Sequence, residues 1–209
     1  MVFDCKEKRR VVFTFILMTG HKEITAIILA GGKSSRMKQE KGLVLFNGKK
    51  LIEYVIEAIK NITNNIIVIT PNPDYKQFDF PCFEDELKDK GPLGGIYTGL
   101  VHSSTHRNLI VGCDMPFLSE RFLTTLVNNC GDEDVLITEH LGMAEPLCAV
   151  YQKKCADHLR LQLEQNHLKI TNALEGLKIR VISFDKEDWF IGNEFANINT
   201  IEELHKYKS

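Results

Sequence analysis

Short runs of apolar residues alternate along the chain with segments in which apolar positions recur every three or four residues. The short runs are typical of strands buried on both faces of a parallel sheet, and the second spacing is typical of helices that pack on such a sheet. Six runs predict strands and a weaker run predicts a seventh, in the order Thr25–Ala30, Ile66–Thr70, Pro81–Glu84 (the weaker one), Asn108–Cys113, Asp134–Thr138, Leu147–Tyr151 and Ile179–Ser183.

Helical spacing appears between these strands, clearly after the first and fourth and less cleanly near the C-terminal end. The segment 139–144 joins two neighbouring strands and is short enough for a hairpin, which predicts one antiparallel strand. The pattern therefore predicts an α/β fold: a Rossmann-like three-layer sandwich whose sheet is mostly parallel with one antiparallel strand. The apolar positions that repeat at helical spacing are Leu51, Ile52, Val55, Ile56 and Ile59, then Phe122, Leu123, Leu126 and Val127, then Leu159, Leu161 and Leu163.

Length and composition fit one globular domain. The chain has 209 residues, 44% of them hydrophobic, and a domain of this size buries enough surface to fold without disulfides or a structural metal. We expect residues 24–209 to form one domain. Residues 1–23 carry a basic stretch and an apolar run of about eight residues, too short to cross a bilayer and without a cleavage site. We interpret them as a dispensable extension, with Met18 as an alternative start, although an extra packed strand fits equally well.

Charge and cysteine content reduce the number of function classes that fit this chain. A formal net charge of -2 gives no long-range attraction to nucleic acid or to an anionic membrane, so any anion must be bound locally. The six cysteines are scattered, without a C-x-x-C pair or a metal-ligand spacing. This usage is typical of a reduced compartment, and we expect a cytoplasmic protein.

A glycine pair, Gly31-Gly32, directly follows the first predicted strand. Open parallel sheets bind ligands outside the carboxyl ends of their strands, and glycines there let backbone N–H groups approach a phosphate closely. Arg36 and Lys41 follow on the same loop and supply cationic donors suited to a triphosphate. A tight turn would also explain the glycines, but together with the two cations they favour phosphate binding.

Asp114 follows the strand at Asn108–Cys113 and therefore reaches the same edge of the sheet as the glycine pair. A carboxylate there can hold Mg²⁺ through one or two bonds while phosphates and water complete the octahedron. The alternative is that Asp114 only caps the turn that follows. Beside a phosphate-binding loop, we favour the magnesium site.

Asp85 lies just before the Gly-Pro-Leu-Gly-Gly segment at 91–95, which opens a helical run. A carboxylate near phosphates is useful only where a cation or the donor edge of a base offsets its charge. Asp85 therefore indicates metal or nucleobase recognition, with a solvated acidic loop as the alternative. Gly94 and Gly95 permit close approach of a ligand, although tight helix–sheet packing would explain them too.

Together these segments resemble the molybdenum cofactor guanylyltransferase (MobA-type) family. The resemblance covers residues 24–207 and implies that residues 24–209 form a nucleotidyltransferase-type domain. Each motif is shared with wider nucleotidyltransferases, but the ordered set is specific. The motifs are Leu-Ala-Gly-Gly-x-Ser-x-Arg-Met at 29–37, Lys41, Gly-Pro-Leu-x-Gly at 91–95, Cys-Asp-Met-Pro at 113–116, Glu-Pro-Leu at 145–147 and Asn-x-Asn-Thr at 197–200.

The resemblance implies an enzyme that joins GMP from GTP to molybdopterin, releases pyrophosphate and uses Mg²⁺. It implies that Arg36, Lys41 and Asp114 act in catalysis, with Asp114 as the metal ligand. Its partners would be GTP, molybdopterin and the molybdoenzymes or chaperones that receive the product. The residues it implies for binding the nucleotide, the metal and, through the two asparagines, the second substrate are Leu29, Ala30, Gly31, Gly32, Lys41, Asp85, Asp114, Asn197 and Asn199.

Two other functions fit parts of the same pattern. The first is the same chemistry on another substrate, either cytidylyl transfer to molybdopterin or nucleotidyl transfer to a sugar phosphate. Gly31-Gly32 and the full segment at 91–95 favour guanine, since relatives that transfer a cytidylyl group more often have a sequence like Ala-Gly in place of Gly31-Gly32. The second is a non-catalytic nucleotide-binding module, against which the charges of Arg36, Lys41 and Asp114 argue, because binding alone needs fewer of them.

Overall fold

The computed structural model describes residues 24–31, 40–198 and 203. In chain order the strands are β1 (Ile24–Leu29), β2 (Leu45–Phe46), β3 (Lys49–Lys50), β4 (Ile66–Ile69), β5 (Cys82–Phe83), β6 (Arg107–Gly112), β7 (Val135–His140), β8 (Met143–Gln152) and β9 (Ile179–Ser183). The helices are α1 (Leu51–Lys60), α2 (Gly91–His102), α3 (Glu120–Asn128), α4 (Cys155–Glu164) and α5 (Ile170–Ala173).

Seven of the strands form one sheet in the order β5-β4-β1-β6-β8-β7-β9. All neighbours are parallel except β8, which is antiparallel to both β6 and β7. The chain moves outward from β1 to β4 and β5 and then returns to the other side of β1 at β6. The strand order therefore reverses between β1 and β6, where open α/β sheets leave a crevice for ligands.

Each face of the sheet carries its own hydrophobic core, because successive side chains of a strand point to opposite faces. Ile28 packs into the core with α1 and α3, whereas Ile27 packs into the core with α2, α4 and α5. The result is a three-layer sandwich, which confirms the predicted fold class.

The antiparallel strand is confirmed, but it is longer than its apolar run. β8 begins at Met143 rather than at Leu147, because the hairpin turn comprises only Leu141 and Gly142, both with positive φ. Pro146 lies within this extension, beside an irregularity in the pairing of β7 and β8. Proline cannot donate to a ladder and is tolerated at such places, so the sequence pattern hides the first part of the strand.

A small hairpin of β2 and β3 was not among the predicted elements. Its turn is Asn47-Gly48, with φ of 45° and 87°. Asn-Gly is a strong signal for a two-residue hairpin turn, so the sequence did contain the information. The hairpin leads directly into α1, whose first turn is capped by the Glu53 carboxylate accepting the N–H of Lys50 at 2.6 Å.

Other expectations concern segments outside the described residues, including the extension at 1–23 and the helix cap at 199–200. Within the described part of the chain, no helix is long and apolar enough to cross a membrane. The five cysteines found there are free thiols. We interpret four of them, Cys82, Cys113, Cys148 and Cys155, as small hydrophobic residues from their apolar neighbours, and all of these except the partly exposed Cys82 are buried.

Candidate active site

The first part of the site is the end of β1, where the chain leaves the sheet. Leu29 accepts the N–H of Cys113 at 3.1 Å through its carbonyl, and Ala30 donates to the carbonyl of Ile69 at 2.9 Å. These bonds join the ends of β1, β4 and β6 at one edge of the sheet. Ala30 is buried and Gly31, the next residue, is exposed at that edge. Gly32 and Arg36 lie outside the described residues.

Lys41 and Asp114 form an ion pair across the crevice between β1 and β6. The ammonium Nζ of Lys41 lies 3.2 Å from Oδ2 of Asp114, and both side chains are partly buried. Lys41 begins a 3-10 turn, Lys41–Leu43, whereas Asp114 follows the last residues of β6. Two residues 73 positions apart in sequence therefore meet where the strand order reverses.

Asn197 lies beside the same aspartate, because the next residue, Ile198, donates its N–H to the carbonyl of Asp114 at 3.0 Å. Ile198 is fully buried against Val44, Phe46 and Leu51, which fixes this part of the C-terminal segment near the site. The structure thus brings one of the two predicted asparagines to Asp114. Asn199 lies outside the described residues.

Asp85 approaches the site from the other side, in the loop that joins β5 to α2. A Cβ added at Gly95 would stand 3.2 Å from Cδ2 of Leu29 and 3.7 Å from Oδ1 of Asp85. Gly95 therefore lets the helix and the acidic loop come close to the end of β1. Burial raises the pKa of Asp85, and its Oδ1 has no hydrogen-bond partner among the described residues.

Glu145 was not predicted, although it opens the Glu-Pro-Leu motif. Its Oε1 accepts the N–H of Leu147 at 3.2 Å, and the residue lies in the part of β8 that the apolar pattern does not show. Burial raises the pKa of Glu145, the N–H of Leu147 opposes that rise, and the negative charge of Asp114 adds to it. A charged residue next to a proline inside a strand is the signal that could have identified it.

The site suits a magnesium ion that is shared with phosphates. Within the described residues, no group of three or more His, Cys, Asp or Glu could hold a metal by itself. Mg²⁺ in nucleotide enzymes usually has one or two carboxylate ligands and takes the others from phosphates and water. Asp114 supplies a hard carboxylate oxygen at the crevice, with Lys41 beside it, so the residues present fit such an ion.

Solved structures share this fold. Molybdopterin-guanine dinucleotide biosynthesis protein A from Archaeoglobus fulgidus has a TM-score of 0.73 at 29% identity, covering 87% of this chain and 95% of that one. The 4-diphosphocytidyl-2C-methyl-D-erythritol synthase from Anaerococcus prevotii has a TM-score of 0.67 over 89% of this chain and 94% of that one, and its 15% identity shows the fold alone. The fold and the arrangement at the sheet edge define the class of nucleotidyltransferases.

The family described as MobA-like NTP transferase domain matches residues 26–177. A probable molybdenum cofactor guanylyltransferase from Flavobacterium johnsoniae is 38% identical over 183 residues, which cover 87% of this chain and 95% of that protein. The chain therefore belongs to the MobA-like NTP transferase domain family, and the resemblance carried by its motifs is confirmed.

Proposed function

We propose that this protein transfers GMP from GTP to molybdopterin, with release of pyrophosphate. An oxygen of the terminal phosphate of molybdopterin attacks the α-phosphorus of GTP. The bond between that phosphorus and the oxygen bridging to the β-phosphorus breaks, and its electron pair leaves with pyrophosphate. The attacking phosphate is already anionic, so no general base is needed.

The observation that carries the proposal is the ion pair of Lys41 and Asp114 at the crevice between β1 and β6. Phosphoryl and nucleotidyl transfer depend mainly on alignment and on electrostatic stabilisation of developing charge. A cation and a metal-ligating carboxylate, side by side where the glycine loop begins, supply both. The similarity to a probable molybdenum cofactor guanylyltransferase from Flavobacterium johnsoniae supports the same reaction.

Each residue has a distinct task in this proposal. Lys41, joined by Arg36, neutralises charge on the leaving pyrophosphate, and Asp114 holds Mg²⁺. When bound, Mg²⁺ supplies a Lewis acid to the phosphate oxygens. The backbone from Leu29 to Gly32 approaches the nucleotide, and Asp85 accepts donors from it.

The acceptor lies on the side of Asn197 and Asn199 in this proposal, next to Asp114. The product would pass to molybdoenzymes or their chaperones, and a cytoplasmic location stays a prediction from the cysteine content. Residues 24–209 would form the catalytic domain, and residues 1–23 an extension that activity does not require.

Calorimetric titration of the full chain with GTP and with CTP, each with and without Mg²⁺, tests the nucleotide. We expect Mg²⁺-dependent binding of GTP and much weaker binding of CTP. Pyrophosphate release in the presence of GTP and molybdopterin then tests the transfer. Preference for CTP would replace the proposal by cytidylyl transfer, and GTP binding without pyrophosphate release would indicate a non-catalytic nucleotide-binding module.

A further inference from the structure

Tyr75 places a polar atom deep inside the protein, beneath the candidate site. It lies on a 3-10 segment, Pro73–Phe78, that follows β4, and its side chain is fully buried in the core with α1 and α3. Its ring packs against that of Phe78, with centroids 6.3 Å apart. Burying the hydroxyl of a tyrosine costs more free energy than burying a phenylalanine of nearly the same shape. The presence of a hydroxyl at this position therefore needs an explanation.

The hydroxyl end of Tyr75 reaches the turn that carries Lys41. A Cβ added at Gly42 would stand 2.6 Å from the phenol oxygen of Tyr75, closer than such atoms can approach. The same Cβ would stand 3.1 Å from both Cβ and Sγ of Cys113. Gly42 is therefore a glycine because the phenol and the thiol occupy the space a side chain would need.

The two neighbours of this contact are the residues of the ion pair. Gly42 directly follows Lys41, and Cys113 directly precedes Asp114, so the phenol lies against both chain segments where they meet. Tyr75 therefore packs beneath the ion pair, in which Nζ of Lys41 lies 3.2 Å from Oδ2 of Asp114.

Both buried groups are uncharged. Burial raises the pKa of Tyr75 well above its usual range, and burial, with the charge of Asp114, raises the pKa of Cys113 to about 12. The contact therefore adds no charge to the site. Its influence on Lys41 and Asp114 acts through position.

The geometry points to Tyr75 as a positioning residue for nucleotidyl transfer: its hydroxyl, wedged against Gly42 and Cys113, fixes Lys41 and Asp114 relative to each other. This inference rests on the proposed function, since it concerns the alignment of the cation and the carboxylate on the reacting phosphates. Alignment matters most in the transition state, so its loss lowers kcat more than it raises KM.

The first test is Tyr75→Phe, which removes one oxygen and keeps the ring. We expect kcat for GMP transfer to fall about tenfold, KM for GTP to change by less than about threefold, and the half-saturating Mg²⁺ concentration to rise. Thr63→Val is the matched control. It also removes one buried hydroxyl and keeps the shape of the side chain, but this hydroxyl donates to the carbonyl of Ile24 at 2.7 Å, at the beginning of β1 and far from the site. The control should lower Tm while leaving kcat unchanged.

The second test uses Gly42→Ala alone and in the Tyr75→Phe background. In the single variant Gly42→Ala, the new methyl group clashes with the phenol oxygen of Tyr75 and displaces the turn that carries Lys41. We therefore expect kcat to fall about a hundredfold. Without that oxygen the nearest atoms are those of Cys113 at 3.1 Å, a tight contact that a small shift of this side chain relieves. The double variant should therefore be at least about tenfold more active than Gly42→Ala. If the two substitutions acted independently, the double variant would instead be less active than Gly42→Ala.

A wild-type kcat and Mg²⁺ dependence in Tyr75→Phe, or multiplicative losses in the double variant, would overturn the inference. Failure of the proposed function looks different, because it would appear in the wild-type protein. If the wild type transfers another nucleotide, the same variants are compared in that reaction. If it binds Mg²⁺ and GTP without turnover, a raised half-saturating Mg²⁺ concentration for GTP binding in Tyr75→Phe supports the positioning role, and an unchanged one rejects it.

Discussion

The two sides of the crevice are built by different means. On the β1 side, Gly31 is exposed, Gly95 lets α2 pack close to Leu29, and Asp85 lies in the loop that leads into α2. On the β6 side, Asp114 projects its carboxylate into the crevice and pairs with Lys41, which reaches across from the segment that follows β1. The first side is suited to holding a nucleotide by close backbone approach, and the second to stabilising charge that develops during transfer. Binding and chemistry should therefore respond to different substitutions.

The sheet explains why the charged groups collect on one side. β1, β4 and β5 are parallel, the first two buried and β5 partly exposed at the sheet edge, and each is followed by a loop that leaves the sheet. β8 runs in the opposite direction, so it is the beginning of this strand, with Glu145, that reaches the edge where β6 ends. One antiparallel strand thus adds a second carboxylate near Asp114 that a purely parallel sheet would place elsewhere.

The largest effect should come from Asp114→Ala. Without the carboxylate the charged side loses its metal ligand and the partner of Lys41, so we expect turnover to fall about a thousandfold or more while the fold is kept. Pyrophosphate release and circular dichroism measure the two properties. Asp132→Ala is the matched control, because Asp132 also pairs with a lysine, Lys178 at 2.6 Å, but is exposed at the other end of the protein. Near-normal turnover in Asp114→Ala would reject the metal role.

Two smaller effects are expected for Asp85→Asn: weaker binding of GTP and a higher Tm. GTP binding should weaken about tenfold, because a hydrogen bond to a charged group is lost. The Tm at pH 7 should rise by about 2 °C, because a half-buried carboxylate, whose Oδ1 has no partner among the described residues, is replaced by a neutral amide. Titration calorimetry and thermal unfolding test the two, and a lower Tm together with unchanged affinity would contradict this role.

The pH dependence of the same variant has a definite sign. The pKa of Asp85 is raised in the folded protein, so the folded state takes up a proton before the unfolded chain does as the pH falls. The contribution of Asp85 to stability therefore improves between the raised pKa and the usual value near 3.8. The Tm advantage of Asp85→Asn should shrink across that interval and be largest above it.

The smallest effect should come from Glu145→Gln. Its carboxylate lies within electrostatic reach of Asp114 and adds to the negative potential that attracts a cation. Its removal should raise the half-saturating Mg²⁺ concentration about threefold and leave GTP affinity at saturating Mg²⁺ unchanged. Glu139→Gln, which removes the same charge from the paired strand β7, serves as the control. Equal Mg²⁺ dependence in both variants would show that Glu145 has no special relation to the site.

Much of the site was accessible from the sequence because it follows the ends of strands. The apolar run before Asp114 ends where the strand ends, and the run before Gly31 does the same, so the parallel arrangement already places both at one edge. Glu145 was not predicted as a site residue because Pro146 interrupts the apolar pattern. The part of the strand that carries Glu145 is recognised only from its pairing with β7.

The sequence by itself determined the succession of the seven strands of the main sheet, the class of fold and the residues that follow β1 and β6. These are properties of local periodicity, since a run of apolar residues specifies a buried strand wherever it lies in the chain. Only the tertiary structure decided that Tyr75 reaches Gly42 and Cys113, and that Lys41 meets Asp114 at 3.2 Å. Such contacts join segments tens of residues apart, and they depend on how helices and turns pack on the sheet, which no local pattern encodes.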